Sequence, residues 1–398
     1  NNNLISNLQP LGSGGINSVF QLYKFDEESN DITPIEEKVL KLENLNDREN
    51  IINYETNIKI NKEFEIYIEG KDIDDNNLTK IKEQFFNNNY EKIRLKVTNK
   101  IDEKYKKQRE SFIENSRIIE ELLEENDIEK YVCKIYDYGY FDILSDSKTE
   151  KNAGVYSIIE KLDGGELFDR LQNFDYLKNI EVFKKLMLNI LSGLSKIHKK
   201  GFLHMDIKIE NIMMVYPIPK EYTKELNEEL VNSTIKFIDF DTITKIGSPI
   251  NENKRFGTPQ NMSPVLIQQM NSPVSPDNDT FDIQHDLHQV GILMIIVLLR
   301  QNANSKYEYL QILRYNKNLI PPKLYEIIEI LINDEIVRPP IEEIIEYLDN
   351  KRFIPITEKT EKSKKETTTN PLTIVNRIES DQEEEDEDSE LSEINNSI

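Results

Sequence analysis

The sequence predicts an α+β protein in two parts: a small antiparallel sheet, then a larger, mainly helical region, with the division near Leu162. Three observations predict it. Apolar and β-branched runs punctuated by glycine recur up to Leu42, the pattern of short strands joined by turns. After Gly164-Gly165 the apolar spacing becomes helical, and from Ile354 onward periodicity disappears.

Taken in order, residues 4–11, 19–23 and 38–42 read as three strands, with 24–34 as a polar turn region. Residues 44–107 are rich in Asn, Lys, Asp and Glu and hold apolar patches such as 64–68 but no sustained period. They read as an insertion, part helical and part disordered. Phe112, Ile118, Ile119, Leu122 and Leu123 place a helix at about 109–125, followed by strands at 132–136 and 155–159. Phe183, Leu186, Ile190, Leu194 and Ile197 form one stripe, as a core-facing helix requires. The longest apolar run, 290–299, is about half the roughly 20 residues that cross a bilayer and reads as a buried helix. The tail, 354–398, includes ten acidic and no basic residues between 379 and 393, a composition that cannot bury enough apolar area to fold alone.

The 398 residues allow about two or three domains. Fifty basic against 73 acidic residues give a formal charge of −23, which argues against a sequence-blind nucleic-acid binder and against a protein of anionic membranes. Cys133 stands alone among apolar neighbours, so a buried thiol in a reducing compartment is expected, cytoplasmic or nuclear. The chain opens Asn-Asn-Asn with no signal-peptide pattern and no methionine, as a fragment would.

Three constellations carry chemistry. Gly12-Ser13-Gly14-Gly15-Ile16-Asn17-Ser18-Val19 is a turn whose bare backbone amides can approach phosphate oxygens. Glycine hairpins are common as plain turns, but Val39-Leu40-Lys41 follows on a strand, so a lysine could reach what the loop covers. His204-Met205-Asp206-Ile207-Lys208-Ile209-Glu210-Asn211 gathers a base, a cation and a metal ligand in one loop after a long apolar helix. In Ile235-Lys236-Phe237-Ile238-Asp239-Phe240-Asp241, a hydrophobic strand ends in a carboxylate suited to a divalent cation.

Together with Gly257-Thr258-Pro259, Asp286 with Gly291, and Arg338-Pro339, this ordered set resembles the eukaryotic-type protein kinase family, serine/threonine branch, from about Leu4 to Phe353. The resemblance implies a bilobal fold with an N-lobe at 1–162 and a C-lobe at 163–353, and transfer of the ATP γ-phosphoryl group to protein Ser/Thr hydroxyls with Mg²⁺. It implies Asp206 as the residue that orients the hydroxyl and takes its proton, Lys208 at the γ-phosphoryl, and Asn211 and Asp239 at Mg²⁺. Lys41 would contact the α/β-phosphates under Gly12, Ser13 and Gly14. Leu11, Val19, Val39 and Met213 would enclose adenine, the backbone of Glu160 and Leu162 would bond its edge, and Glu166 would bind ribose. Glu210 and Glu166 would favour basic residues before the acceptor in a protein substrate, and a basic partner could meet the acidic tail.

Departures from the pattern qualify the resemblance. Met205 stands where an arginine often clamps a phosphorylated segment, and Lys254 where the phosphothreonine often lies; together they predict a segment ordered without phosphorylation. Asp241 replaces a glycine, and Val265 replaces the glutamate expected to pair with Arg338, which then needs another partner. The helix carboxylate for Lys41 is Glu114, with Glu120 and even Asn115 as alternatives by spacing. Asp286 is expected to accept from catalytic-loop backbone, and His204 to be a packed residue rather than a catalyst. His285 and His288 lack a completing cluster for zinc. The alternative reading is a pseudokinase, a nucleotide-binding scaffold.

Overall fold

Backbone hydrogen bonding joins seven strands into one antiparallel sheet in the order β4-β1-β2-β3-β7-β6-β5. The strands are β1 (Asn3–Ser13), β2 (Asn17–Asp26), β3 (Asp31–Asn44), β4 (Glu65–Ile68), β5 (Arg94–Val97), β6 (Ile135–Leu144) and β7 (Glu150–Glu160), with helix α1 (Lys106–Leu123) between β5 and β6. The structure is a computed structural model and describes residues 3–13, 17–26, 31–44, 65–68, 94–97, 106–124, 127–144, 150–173, 179–216, 235–250, 257–271, 280–333 and 338–349. Gly14, Lys254, the tail expected at 354–398 and most of the 44–107 insertion lie outside these residues.

Strand parity sorts the first part into a core face and a cleft face. Phe20 on β2 pairs in register with Leu40 on β3, and with Leu22 and Leu42 on the same two strands all four are fully buried. Their alternates Val19, Val39 and Lys41, with Ser157 and Ile159 on β7, line the cleft. The expected turn at 24–34 is shorter than its polarity suggested. Lys24 pairs with Thr33 and Asp26 with Asp31, because ladder bonds use backbone groups whatever the side chain. The insertion departs from expectation in part: Lys106 and Lys107 open α1, but its other described residues add strands, β4 to β1 and β5 to β6, one at each edge. Val132 makes only an isolated bridge to Phe237, and the strand proper starts at Ile135.

The second part is mainly helical: α2 (Leu167–Asn173), α3 (Ile180–Lys199), α4 (Pro264–Asn271), α5 (Ile283–Leu299), α6 (Lys306–Tyr315), α7 (Pro322–Ile332) and α8 (Ile341–Leu348). The stripe read from Phe183 to Ile197 is buried along α3. Helix α5 starts at the Asp282 cap, whose side chain accepts from the Gln284 N–H at 2.7 Å, and every residue from His285 to Leu299 is buried. Gly291 lets α7 approach: a Cβ there would lie 2.6 Å from Ile332 Cγ2 and 2.7 Å from Leu331 Cβ. No described helix is long and apolar enough to cross a membrane. The architecture is the bilobal α+β fold the resemblance implied. Two small ribbons, β8 (Phe202–Leu203) with β11 (Thr244–Lys245) and β9 (Ile212–Met214) with β10 (Ile235–Phe237), hold the loops that face the cleft.

Candidate active site

The loop at 204–211 joins β8 to β9, and helix α5 fixes its backbone. Asp286, fully buried, accepts from the N–H of His204 at 2.9 Å, from the N–H of Met205 at 2.8 Å and from His198 Nε2 at 2.9 Å. Burial alone would raise the Asp286 pKa, but His198 and these donors hold it below the ordinary value. One helical turn on, Gln289 accepts from the Ile207 N–H at 2.8 Å and donates to the Met205 carbonyl at 2.9 Å. Sequence reasoning missed Gln289, although a polar residue three after Asp286 in an apolar helix lies on the same face. These bonds hold Met205 at φ 66°, a conformation costing a non-glycine residue about 1–3 kcal/mol.

Asp206 does not itself line the cleft, but three residues that do, Lys208, Asn211 and Thr258, give it a full set of donors. Asn211 Nδ2 donates to its Oδ2 at 2.8 Å and to its carbonyl at 2.9 Å, and Lys208 Nζ lies 2.8 Å from Oδ2. Thr258 donates to Oδ1 from its N–H at 2.7 Å and from its hydroxyl at 2.9 Å, and Lys208 also reaches the Thr258 hydroxyl at 3.1 Å. Against the upward push of burial, Lys208 and Thr258 hold the Asp206 carboxyl below its usual range, so it is a carboxylate at neutral pH. His204 donates from Nε2 to the Ile238 carbonyl, 3.1 Å away, and its Nδ1 accepts from the Asp206 N–H. It is packed behind the site, as expected.

Asp239 follows β10 at φ 62° and forms an ion pair with Lys41, Nζ to Oδ1 3.0 Å. The Lys41 ammonium draws the Asp239 pKa down. Burial would lower the pKa of Lys41, but Asp239, Asp241 and Glu43 raise it, so it stays charged. Asp241 behaves oppositely. Burial and the neighbouring Asp239 charge push its carboxyl up to about 8.

The expected pairing of Glu114 with Lys41 is corrected. Glu114 is 66% exposed and faces Arg117, 3.9 Å away, while Glu120 accepts from the Tyr138 hydroxyl at 2.8 Å. The helical phase of α1 instead turns Phe112, Asn115, Ser116 and Ile119 to the cleft, and Asn115 Nδ2 donates to the Asp241 carbonyl at 2.8 Å. Arg338, deprived of a glutamate at Val265, donates to the Leu331 carbonyl at 2.6 Å and meets His288 Nδ1 at 3.2 Å. His285 meets the Ser263 hydroxyl at 3.0 Å. No cluster of three or more His, Cys, Asp and Glu side chains placed for a metal occurs among the described residues.

The cleft has a volume of about 1250 Å³. Leu11, Val19, Val39, Leu162, Glu166 and Met213 all line it, with Lys41, Lys208, Asn211, Asp239 and Thr258. Gly12 and Ser13 lie at the end of β1, paired with Val19 and Ser18. The backbone N–H of Glu160 is already bonded to the Lys134 carbonyl at 2.9 Å. The Glu160 carboxylate accepts from buried Lys236, 2.6 Å away, a partner the sequence did not single out. Cys133 also lines the cleft, its thiol pushed up to about 12 by burial and the nearby Glu160 charge. Burial, Asp169 and Glu210 raise the Glu166 pKa.

Comparison with known proteins agrees with this geometry. The family model described as "Protein kinase domain" matches residues 77–340, well over half of the chain. The chain belongs to the protein kinase family. The matched region begins after β4, so the glycine turn and Lys41 lie outside it and enter the site by geometry. Among curated relatives, smooth-muscle myosin light chain kinase of Gallus gallus is 31% identical over 134 residues, 34% of this chain and 6% of that protein. Probable serine/threonine-protein kinase 2 of Plasmodium falciparum is 29% identical over 152 residues, 38% of this chain and 25% of that protein. The DNA damage response protein kinase DUN1 of Saccharomyces cerevisiae is 23% identical over 240 residues, 59% and 43%. The chain thus matches less than half the length of each of these relatives. The family in general uses ATP and Mg²⁺.

Proposed function

We propose that the chain is an active serine/threonine protein kinase. The observation that carries the reading is the convergence on Asp206 of Lys208, Asn211 and Thr258, in one cleft with the Lys41–Asp239 pair. The donor set fits the group it would hold. Asp239 and the Asn211 amide oxygen are hard oxygen ligands suited to Mg²⁺, and Asn211 spends its Nδ2 on Asp206, keeping Oδ1 for that role. Val19, Val39 and Met213 offer an apolar slot for a base, while Lys41 supplies positive charge for phosphates.

ATP with Mg²⁺, when bound, supplies the transferable phosphoryl group and part of the charge neutralisation. The protein's share is positioning and electrostatics. Asp206 accepts the proton of the incoming hydroxyl; its lowered pKa suits it to orient that hydroxyl more than to act as a strong base. Lys208, already bridging Asp206 and Thr258, is placed to steady the transferred group. The Ser/Thr assignment draws support from this Lys208–Thr258 contact and from the name of the Plasmodium falciparum relative. Glu166, whose pKa burial and then the charges of Asp169 and Glu210 raise, forms with those two an acidic rim that favours basic protein substrates.

The test is phosphate transfer from labelled ATP with Mg²⁺ to a basic protein, followed by phosphoamino-acid analysis. Asp206→Ala should slow transfer by roughly 10²–10⁴-fold, with label on serine or threonine in the wild type. A wild type that transfers no more than the variant, yet melts higher with ATP, establishes the scaffold reading instead.

A further inference from the structure

We propose that the buried ion pair between Lys236 and Glu160 sets the position of the Glu160 carbonyl at the base end of the cleft, so that the two side chains are positioning residues for the selection of a 6-amino over a 6-oxo purine nucleotide. The inference rests on the nucleotide-binding reading above and names what holds its base edge. Glu160 ends β7, and its place beside the apolar slot follows from register. Val39, which lines the slot, pairs with Ile159, and Lys38 with Glu160. The Lys161 N–H bonds to the Glu37 carbonyl at 2.9 Å. Antiparallel pairs alternate between bonded and unbonded, so the adjacent Lys38–Glu160 pair exchanges no ladder bonds and the backbone groups of Glu160 point away from β3. The Glu160 N–H is taken by the Lys134 carbonyl at 2.9 Å, while its own carbonyl oxygen lies 3.7 Å from Cys133 Sγ, a weak donor that also lines the cleft. What this strand end offers a ligand is therefore an acceptor. A 6-amino group can donate to it, whereas a 6-oxo group would set two acceptors against each other.

The side chain of the same residue is fixed from behind. Its Oε2 accepts from Lys236 Nζ at 2.6 Å and from the Lys134 N–H at 3.1 Å, and the Lys236 and Glu160 side chains are only 7% and 19% exposed. Lys236 belongs to β10, and residues 131–134 run between that strand and the end of β7. The Phe237 N–H donates to the Tyr131 carbonyl at 2.7 Å, and the Cys133 N–H to the Phe237 carbonyl at 3.1 Å. Lys236 thus reaches across this segment to Glu160, and the strand that leads into Asp239 also carries the cation that holds the base edge. A buried ion pair is weak evidence of stability, since apolar residues of similar size often replace one at no loss. Its effect here is on geometry: without Lys236, a buried carboxylate has lost its cation, and the strand end must move to bring it to water.

Dissociation constants for ATP and for GTP, each with MgCl₂, measured by titration calorimetry, test the assignment without reference to turnover. The wild type should prefer ATP by roughly tenfold or more, the difference between a hydrogen bond made and a buried acceptor left unpaired. Lys236→Met should bring the two affinities close together, chiefly through weaker ATP binding. Glu160→Gln, which keeps an acceptor for both Lys236 and the Lys134 N–H, should retain most of the preference. The double variant Lys236→Met with Glu160→Leu buries no charge, so it should melt at or above the temperature of Lys236→Met and yet remain as unselective. That split separates positioning from folding. A double variant or a Lys236→Met with the wild-type ratio, a Glu160→Gln as unselective as the double variant, or a wild type that binds ATP and GTP alike would each overturn the inference and leave the kinase reading intact. A wild type that binds neither nucleotide would overturn that reading, and the inference with it. Melting without nucleotide reports folding; if Lys236→Met does not fold, the double variant and Glu160→Gln decide the question.

Discussion

His204 and Gly257 show how little freedom single residues have around Asp206. Burial holds the His204 imidazole below its ordinary pKa of 6.5, against the opposing pull of Asp286, Asp206 and Asp239. The unfolded chain therefore binds a proton that the folded chain refuses. The contribution of His204 to stability is fully present above about pH 6.5 and is lost as pH falls toward the folded value. Melting temperature should fall between about pH 7 and pH 5, with a shallower slope in His204→Gln; equal slopes would contradict the assignment. Gly257 has a steric constraint instead. A Cβ there would sit 2.4 Å from the Met205 carbonyl oxygen and 2.5 Å from Asp206 Oδ1. Gly257→Ala should cost about 1–3 kcal/mol of stability by overpacking, and it should displace the Asp206 carboxylate, so that phosphate transfer falls more than ATP affinity does.

At the scale of elements, the segment after Asp239 is held by apolar packing and backbone bonds. Met205, almost wholly buried, packs in a cluster with Leu203, Ile250, Met262, Leu266 and Phe281. The Ile246 N–H bonds to the Gly201 carbonyl, Gly247 to Phe281, and Phe281 to Ser248. These contacts of residues 246–250 lead to the expectation that the segment needs no phosphate. Phosphatase-treated protein, verified by mass spectrometry, should keep its transfer rate, and loss of activity on dephosphorylation would refute this. Met205→Arg should destabilise by about 3 kcal/mol or more, because the cluster offers a buried cation only apolar neighbours. The departure at Met205 was legible in the sequence, as were α3, α5 and the loop around Asp206, whose periodicity and spacing depend on neighbours in the chain. The cleft-facing side of α1 was less legible. Choosing among Glu114, Asn115 and Glu120 requires the rotational phase of the helix against β3, which is set by packing across the sheet. For the same reason β4 and β5 read as insertion: each is four residues long, too short to show a period, and each is a strand only because a sheet edge accepts its backbone.

For the whole molecule, charge is the property most visible in the sequence and most unevenly placed. Ten of the 23 excess negative charges fall between residues 379 and 393. Around the active-site cleft, Lys41 and Lys208 supply positive charge within contact distance of Asp239 and Asp206, where salt screens little. An acidic block of this kind acts on solvent-exposed partners through a field that fades over roughly 8–10 Å at physiological salt. The two effects separate experimentally. Deleting residues 379–393 takes the formal charge from −23 to −13 and should leave ATP affinity unchanged. The same deletion should raise KM for a basic protein substrate at low salt if the block helps attract it, and the difference should shrink as salt is added. If ATP affinity instead rises on deletion, the tail's field reaches the nucleotide site, and the local charges of Lys41 and Lys208 are not sufficient to set it.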